Sequence, residues 1–545
     1  MDVLTLQQRA LATKPRQRDS GFRPQGELET AIERSQAYLL SQQKPEGYWV
    51  GELMVDATIV ADTIAYHHWN GKVDEQWQRK AVNHIFSRQL PDGGWNIYYG
   101  GPAEVNATIK CYLALKLAGV PVTDPRMLRA REVALSLGGV PRMNTFSKLY
   151  LALLGLFPWD YVPTIPCEVI LIGKWFYVNF NEMSSWSRSM LVPLAIINSY
   201  KPTRPLKNNI KLNELFPEGI HERDLAVARD PERLTWRNFF LWLDRVHKFA
   251  EWFAEHRIHP FRKRALKKAE QWMLERFEGS DGLAAIFPAM LNSLIALKAL
   301  GYPDNHPQVL RAERELKKLE HETEWSVRIE PCFSPVWDSA IVTICLHESG
   351  LPSDHPALKR CAEWLIGEEL RFRGDWHYKN RAKVEASGWV FEFANKWNPD
   401  VDDTAMVLLA LRKVPTDDRR KRDECFQRGL KWMLTFQCKD GGWGERCNTY
   451  DDPVFKGQGP STASQTAWAV MGLCAFDDPQ RPSIRRGIEY LVRTQNEDGS
   501  WTEHETTGTG FPKVFYLKYD MYRNSWPLLA LATYRKLLEA LKTSP

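Results

Sequence analysis

Three carboxylates crowd the start of an apolar run at Asp400-Val401-Asp402-Asp403-Thr404, and the residues that follow, Ala405 to Leu411, hold nothing to neutralise them. Like charges this close resist simultaneous ionisation, so at least one carboxyl of such a group tends to stay protonated. The run predicts a helix. A helix N-terminus favours negative charge and would stabilise the carboxylate left after a proton is given away. Together these properties describe a Brønsted acid. A simpler role stays open at this point: Asp400 or Asp403 as an ordinary helix cap.

The elements that must hold such an acid are announced by an internal repeat. Tyr38-Leu39-Leu40 leads to Gln43 and then Glu46-Gly47-Tyr48-Trp49, and His84-Ile85-Phe86 leads to Gln89 and then Asp92-Gly93-Gly94-Trp95. The pattern returns from Gly429 to Gln437 with Asp440-Gly441-Gly442-Trp443, and from Gly487 to Gln495 with Asp498-Gly499-Ser500-Trp501. Weaker copies end at Gly374-Asp375-Trp376 and around Gly279 to Leu283. Each unit predicts an amphipathic helix stopped by a Gly-rich turn, with Gln at the helix end and Trp just beyond. Gln would bond the orphaned backbone groups there and the indole would stack over it. Apolar helices lie between the repeats, at Ala107 to Leu117, Leu291 to Leu300 and Ser464 to Cys474, and strand-like alternation is rare. The reading is all-α, with paired helices curling into barrels.

Composition narrows the classes. A chain of 545 residues can bury more than one large core, and its net charge of +5 is spread over dispersed Lys and Arg, which argues against nucleic acid. Nine scattered cysteines without CxxC pairs read as reduced thiols in a cytosolic compartment, with no structural zinc. The polar, basic segment from Met1 to about Gly26 has no apolar core of a signal peptide, and no stretch is apolar enough to span a bilayer. The 22 Trp are far more than core filling calls for, and the repeat accounts for much of the excess.

The Q…GxW repeats together with DxDD resemble the squalene-hopene cyclase family of class II triterpene cyclases. The likeness extends over nearly the whole chain, through Gln43 to Gly51, Tyr99-Gly100-Gly101-Pro102, Ser334-Pro335-Val336-Trp337-Asp338 and Gly508-Thr509-Gly510-Phe511-Pro512. It implies two α/α barrels, one inserted into the other. The inserted barrel would span 53–324, and the catalytic barrel would combine 1–52 with 325–545. It further implies conversion of squalene to hopene and some hopanol, started by protonation of a terminal alkene, with no metal and no cofactor. An alkene is a very weak base, so the acid must be strong and kept from water.

By the same resemblance Asp402 is the proton donor, while Asp400 and Asp403 hold its geometry and share the charge. The migrating carbocation needs faces that stabilise it without trapping it, which aromatic rings supply. Motif matching assigns Phe391, Trp186, Trp337, Phe511, Phe515, Tyr519 and Tyr522 to that lining, Asp62 to the far end of the cavity and Met183 to the channel constriction. For Phe391, Phe393 and Trp186 a plain core role is the alternative, for Tyr519 and Tyr522 the sealing of a helix, and for Asp62 an exposed carboxylate. The segment from Trp236 to Phe253 places Trp236, Phe239, Phe240, Trp242, Phe249 and Phe253 on a helix apolar over a wide arc, followed by Arg257, Arg262, Lys263 and Arg264. It reads either as a monotopic anchor dipping into one leaflet or as a buried barrel helix. The family's habit favours the anchor, on the cytoplasmic face of the bacterial inner membrane, with membrane lipid as a partner and a homodimer as a possible assembly.

The chain departs from the family in one large way. About two repeats are missing between DxDD and the final repeats, and the join falls on Gly441-Gly442-Trp443-Gly444, a sequence that both flanking repeats share. The missing stretch would carry a His that bonds the donor Asp, several cavity aromatics and part of the channel; His504 follows the wrong repeat to replace it. The catalytic barrel is therefore expected to be shortened. Smaller departures are Met183 in place of a frequent Phe, and Ala394 within a usually acidic stretch. A solenoid survives the loss of repeats more readily than a closed barrel does. Competing readings are a cyclase for another polyprenoid and a non-catalytic lipid-binding homologue. A prenyltransferase subunit would need an Asp/Cys/His metal site, and an ionising terpene synthase a DDxxD, which Asp402-Asp403-Thr404-Ala405-Met406 does not supply.

Overall fold

The computed structural model describes residues 24–543 apart from 98–100, 173–179, 181–184, 207–209, 220–224, 228, 230, 233–234, 236–237, 240, 247, 249–259, 375, 378–383, 398, 445–459, 476–478, 504–507, 512–514 and 518–521. The chain runs α1 (Pro24–Gln42), α2 (Thr58–Asn70), α3 (Glu75–Ser87), α4 (Val105–Leu117), α5 (Pro125–Ser136), α6 (Thr145–Leu153), α7 (Ser185–Tyr200), α8 (Pro260–Phe277), α9 (Phe287–Ala299) and α10 (Pro307–Lys318). A hairpin of β1 (Glu320–Glu322) and β2 (Val327–Ile329) follows. The second half holds α11 (Pro335–Glu348), α12 (Pro356–Gly367), α13 (Val401–Lys413), α14 (Arg419–Thr435), α15 (Ala463–Cys474), α16 (Pro482–Thr494), the pair β3 (Gly508–Phe511) and β4 (Phe515–Leu517), and α17 (Tyr522–Thr543).

The helices form two α/α barrels with separate cores. One core draws on residues from Ala57 to Ile329, the other on Trp49 and on residues from Val336 to Ala530. In the second, the inner helices pack in the series α11, α13, α15, α17, with α12, α14 and α16 outside. α15 runs against α13 at Gly472, where a Cβ would stand in ordinary contact, 3.4 Å from the Cα of Ala405. The chain crosses between the barrels twice, and the crossings are tied together. The Trp49 N–H donates to Ser339 Oγ (2.8 Å), the Gly51 N–H to Asp338 Oδ2 (2.8 Å) and the Leu53 N–H to buried Glu330 Oε2 (3.1 Å). Arg328 grips the Glu52 carboxylate with both prongs at 2.7 Å.

The repeats act as stitching. Gln43 Nε2 donates to the Gly47 carbonyl of its own turn (2.8 Å) and to the Ala357 carbonyl at the start of α12 (2.7 Å). Gln89 does the same to Gly93 and Arg126 at α5, and Gln437 to Gly441 and Ser483 at α16. The indole N–H of Trp49, Trp95, Trp443 and Trp501 bonds back to the preceding helix, at Leu39, Ile85, Met433 and Leu491. The turn glycines need their freedom: Gly93 has φ of 101°, and a Cβ there would stand 2.5 Å from that of Arg129. The Gln thus reaches the next helix as well as its own turn.

One repeat differs from expectation. After α12 the indole that bonds back is Trp389, whose Nε1 donates to the Leu365 carbonyl at 2.7 Å. Trp376, which closes the weak copy in the sequence, is buried with its Nε1 unpartnered among the described residues. An insertion between helix and Trp had displaced the motif.

Candidate active site

The segment ahead of α13 is fixed on its first turn by one threonine. The Trp389 N–H donates to Thr404 Oγ1 (3.1 Å), which in turn donates to the Asp400 carbonyl (2.6 Å), while the Asp400 N–H bonds the Trp389 carbonyl (3.2 Å). Gly388 permits this approach. Its φ is 115°, and a Cβ would press on Pro399 at 3.0 Å and on Thr404 Oγ1 at 3.2 Å.

Asp400 is the helix cap, its Oδ1 accepting the Asp403 N–H at 2.8 Å. The capping role expected for Asp400 is thus observed, and it leaves Asp402 and Asp403 in the first turn of the helix. Asp402 is half-buried in the first turn and Asp403 is buried, its Oδ1 with no hydrogen-bond partner among the described residues. Burial drives the Asp403 carboxyl well above the usual carboxylate range, and the charge and hydrogen bond of Asp400, then the charges of Asp402 and Glu392, push it further. The neutral member of the triad is thus Asp403, beside Asp402, with the helix dipole available to stabilise charge once a proton leaves.

A fourth carboxyl joins them. Glu392 is buried, and burial together with the Asp400 charge pushes it up to about 8, against opposing hydrogen bonds from its own backbone and from the Asn395 side chain. Sequence reasoning passed over it as part of an aromatic stretch. The available signal was an acidic residue set between Phe391 and Phe393 just ahead of DxDD.

A line of aromatic rings begins at Phe391, two residues beyond the Trp389 that is seated on Thr404. Phe391 lies 6.5 Å from Trp337 between ring centroids, Trp337 lies 6.4 Å from Trp468, and Trp468 lies 5.7 Å from Tyr522 and 5.8 Å from Trp526. Packing of α11, α13, α15 and α17 produces this line. It brings the expected Phe391, Trp337 and Tyr522 together and adds Trp468 and Trp526, which the sequence left inside apolar runs. Phe393 turns to a different group, 5.1 Å from Tyr48 and 5.6 Å from Phe333.

Asp62, assigned to the far end of the cavity, is not the exposed carboxylate of the alternative: on α2, its Oδ2 meets Lys110 Nζ of α4 at 2.8 Å. Burial raises its carboxyl, while Lys110 opposes the shift. Trp186 stands in the first turn of α7, and Phe511 pairs with Phe515 across β3 and β4. Met183, Tyr519, Trp236, Phe240, Phe249 and Phe253 lie outside the described residues. Of the apolar helix that they flank, Phe239, Trp242, Leu243 and Val246 are all exposed, with the Phe239 and Trp242 rings stacked at 6.3 Å. The described cysteines are all free.

The chain matches the squalene-hopene cyclase N-terminal domain over residues 32–325. It matches the C-terminal domain of the same family in two pieces, 333–443 and 431–536. Residues 431–443, which end in Gly441-Gly442-Trp443, therefore match that domain at two places, as a join between two similar repeats requires. It is 33% identical to a dammaradiene synthase of Dryopteris crassirhizoma, over 95% of both chains. It is 32% identical to a squalene–hopene cyclase of Zymomonas mobilis (94% of this chain, 96% of the relative). To that of Alicyclobacillus acidocaldarius it is 31% identical (93% and 98%). The first of these alignments runs over 660 positions although the chain has 545 residues, so a long stretch of the relative has no counterpart here. With the aspartate triad at the head of α13, the stitched repeats and both domains matched, the chain belongs to the squalene-hopene cyclase family, with its second barrel shortened after the DxDD motif.

Proposed function

We propose that the protein cyclises squalene by protonating its terminal alkene, giving hopene and some hopanol. The observation that carries this reading is the triad at the head of α13, where burial and neighbouring charge keep a carboxyl protonated, together with the line of aromatic rings that begins at Phe391. In this reading Asp402 delivers the proton to the alkene and takes its replacement from Asp403, the member that burial keeps protonated, while Asp400 fixes their geometry and shares the resulting negative charge at the helix N-terminus. Phe391, Trp337, Trp468 and Tyr522 then face the developing cation, each ring contributing about 2 kcal/mol when desolvated. Trp186, Phe511, Phe515, Tyr519, Met183 and Asp62 complete the lining by family likeness. A Brønsted acid is sufficient for this chemistry, so EDTA leaves turnover unchanged.

A second reading concerns the product. The relatives include a dammaradiene synthase as well as squalene–hopene cyclases, and the shortened barrel sets α15 directly against α13. A cavity reshaped in this way would stop the cascade at fewer rings or take another polyprenoid. In either reading the substrate is a lipid, and the exposed Phe239, Trp242, Leu243 and Val246 are proposed to rest in one leaflet as a monotopic anchor.

Incubation of detergent-solubilised protein with squalene, beside an Asp402→Asn control, tests the proposal by gas chromatography–mass spectrometry. Pentacyclic product from the wild type alone is the expected result, with loss of at least roughly a hundredfold in the variant and an unchanged melting curve. Equal turnover in the variant assigns the acid elsewhere. A product with fewer rings selects the second reading.

A further inference from the structure

An acid that gives its proton to an alkene must be recharged before the next turnover. The recharging route has to avoid the aromatic side, because water there would trap the cation. Where residues of the two barrels meet at Glu392, they line a cavity of about 10 Å³ whose polar wall is Asp281, Glu315, Lys318 and Glu392 and which none of the line Phe391, Trp337, Trp468 and Tyr522 enters. That volume and those groups suit one water molecule. The cavity adjoins a larger cleft of about 600 Å³, sharing Asp281, Lys318 and Phe333 with it, and Lys44, Glu52, His321 and Glu330 give the cleft a polar lining. Its wall is pinned across the barrels. The Asp281 N–H donates to the Ala394 carbonyl (3.1 Å), the Lys396 N–H to the Gly279 carbonyl (3.4 Å), and Ser280 bridges Asn395.

Resting on the cyclase reading above, we infer that Glu392 recharges the DxDD acid, passing a proton from a water in this small cavity to the Asp400–Asp403 pair. The Glu392 O–H bond breaks as an aspartate O–H bond forms, and the Glu392 carboxylate then takes a proton from the cavity water. That water is replenished by solvent in the cleft. One proton enters per cycle and one leaves when the final cation is deprotonated, so the route balances. Glu392 acts through the aspartates and not on the substrate. The groups that face it are Asp400, Asp403, Asp281, Glu315, Lys318, Cys332 and the Asn395 side chain. Lys318 Nζ lies 2.5 Å from Glu315 Oε2 at the mouth, and its charge opposes the burial that raises Asp281. A resting pKa near 8 leaves Glu392 protonated at neutral pH, yet able to release and regain its proton.

The test separates the first turnover from later ones, using squalene in detergent micelles. Glu392→Gln should give a first equivalent of product at the wild-type rate and with the same KM, then a steady state slowed roughly tenfold or more. Asp281→Asn, at the cavity wall, should slow only the later turnovers. Steady-state rates equal to wild type in both variants overturn the proposal, as does an equal loss of first and later turnovers, which marks mere positioning. Infrared spectroscopy of the resting protein near pH 6 gives a readout free of activity. Glu392→Gln should lack one protonated-carboxyl band, and that band should shift in the wild type on transfer to D2O. A band that survives the substitution, or that resists exchange in the folded protein, overturns the route. If the wild type converts no squalene at all, the cyclase reading fails and the infrared result still decides this one.

Discussion

Two carboxyls at the site, Asp403 and Glu392, are held neutral by burial and by Asp400. A raised carboxyl pKa means that the native state binds protons more tightly than the unfolded chain. The corresponding stability is complete below the ordinary pKa of 4.5 and is lost as pH rises through about 8. For Glu392 the effect is on the order of a few kcal/mol. Glu392→Gln removes the titration, so urea midpoints at pH 5 and pH 8 should lie closer together in the variant than in the wild type. An undiminished difference would mean that Glu392 ionises freely in the folded protein. The same residue thus links stability to recharging, since the proton that stabilises the fold is the proton proposed to be relayed.

The site depends on how one irregular segment is seated on one helix. Thr404 joins the Trp389 N–H to the Asp400 carbonyl, and so sets both the cap of α13 and the path of Phe391 and Glu392. Thr404→Val keeps the shape but leaves the buried Trp389 N–H unsatisfied, at a cost of about 1–3 kcal/mol. The expected result is a lower urea midpoint together with a fall in kcat for squalene, because the acid and its neighbours lose their common anchor. A stability loss with kcat intact would place the segment outside the chemistry. Caps of this kind are local, whereas the row α11, α13, α15, α17 is not: it exists only through packing between helices far apart in the chain.

At the scale of the whole molecule, the two barrels meet along tied crossings, and the cleft and small cavity lie where they meet. The proposed recharging route is thus a property of neither barrel alone. The exposed patch of Phe239, Trp242, Leu243 and Val246 is the corresponding feature of the outer surface. If it rests in a leaflet, Trp242→Ser should reduce flotation with anionic liposomes several-fold, an effect of removing one anchoring aromatic. The melting temperature should stay within about 1 °C, since an exposed side chain contributes little to folding. Unchanged flotation would remove this helix as the anchor.

The sequence by itself determined the repeats and the cluster of carboxylates at a helix head. A Gln, a tight glycine turn and a Trp that bonds back ten residues are local devices, readable from spacing alone. The same holds for three carboxylates at the head of an apolar helix, and for the join at Gly441-Gly442-Trp443-Gly444, which a shared motif exposes. Tertiary structure decided what rests on contacts between distant segments. Trp389, not Trp376, closes its repeat because its carbonyl partner lies 24 residues back, beyond the reach of a fixed spacing. Trp468 became part of the aromatic line only when α15 met α11 and α17, and Asp62 became half of an ion pair only when α2 met α4. Glu392 was one acid among aromatics until folding buried it between the triad and Asp281 of the other barrel. Burial and the company of other charges set what a carboxyl does, and both are fixed by which segments fold against it.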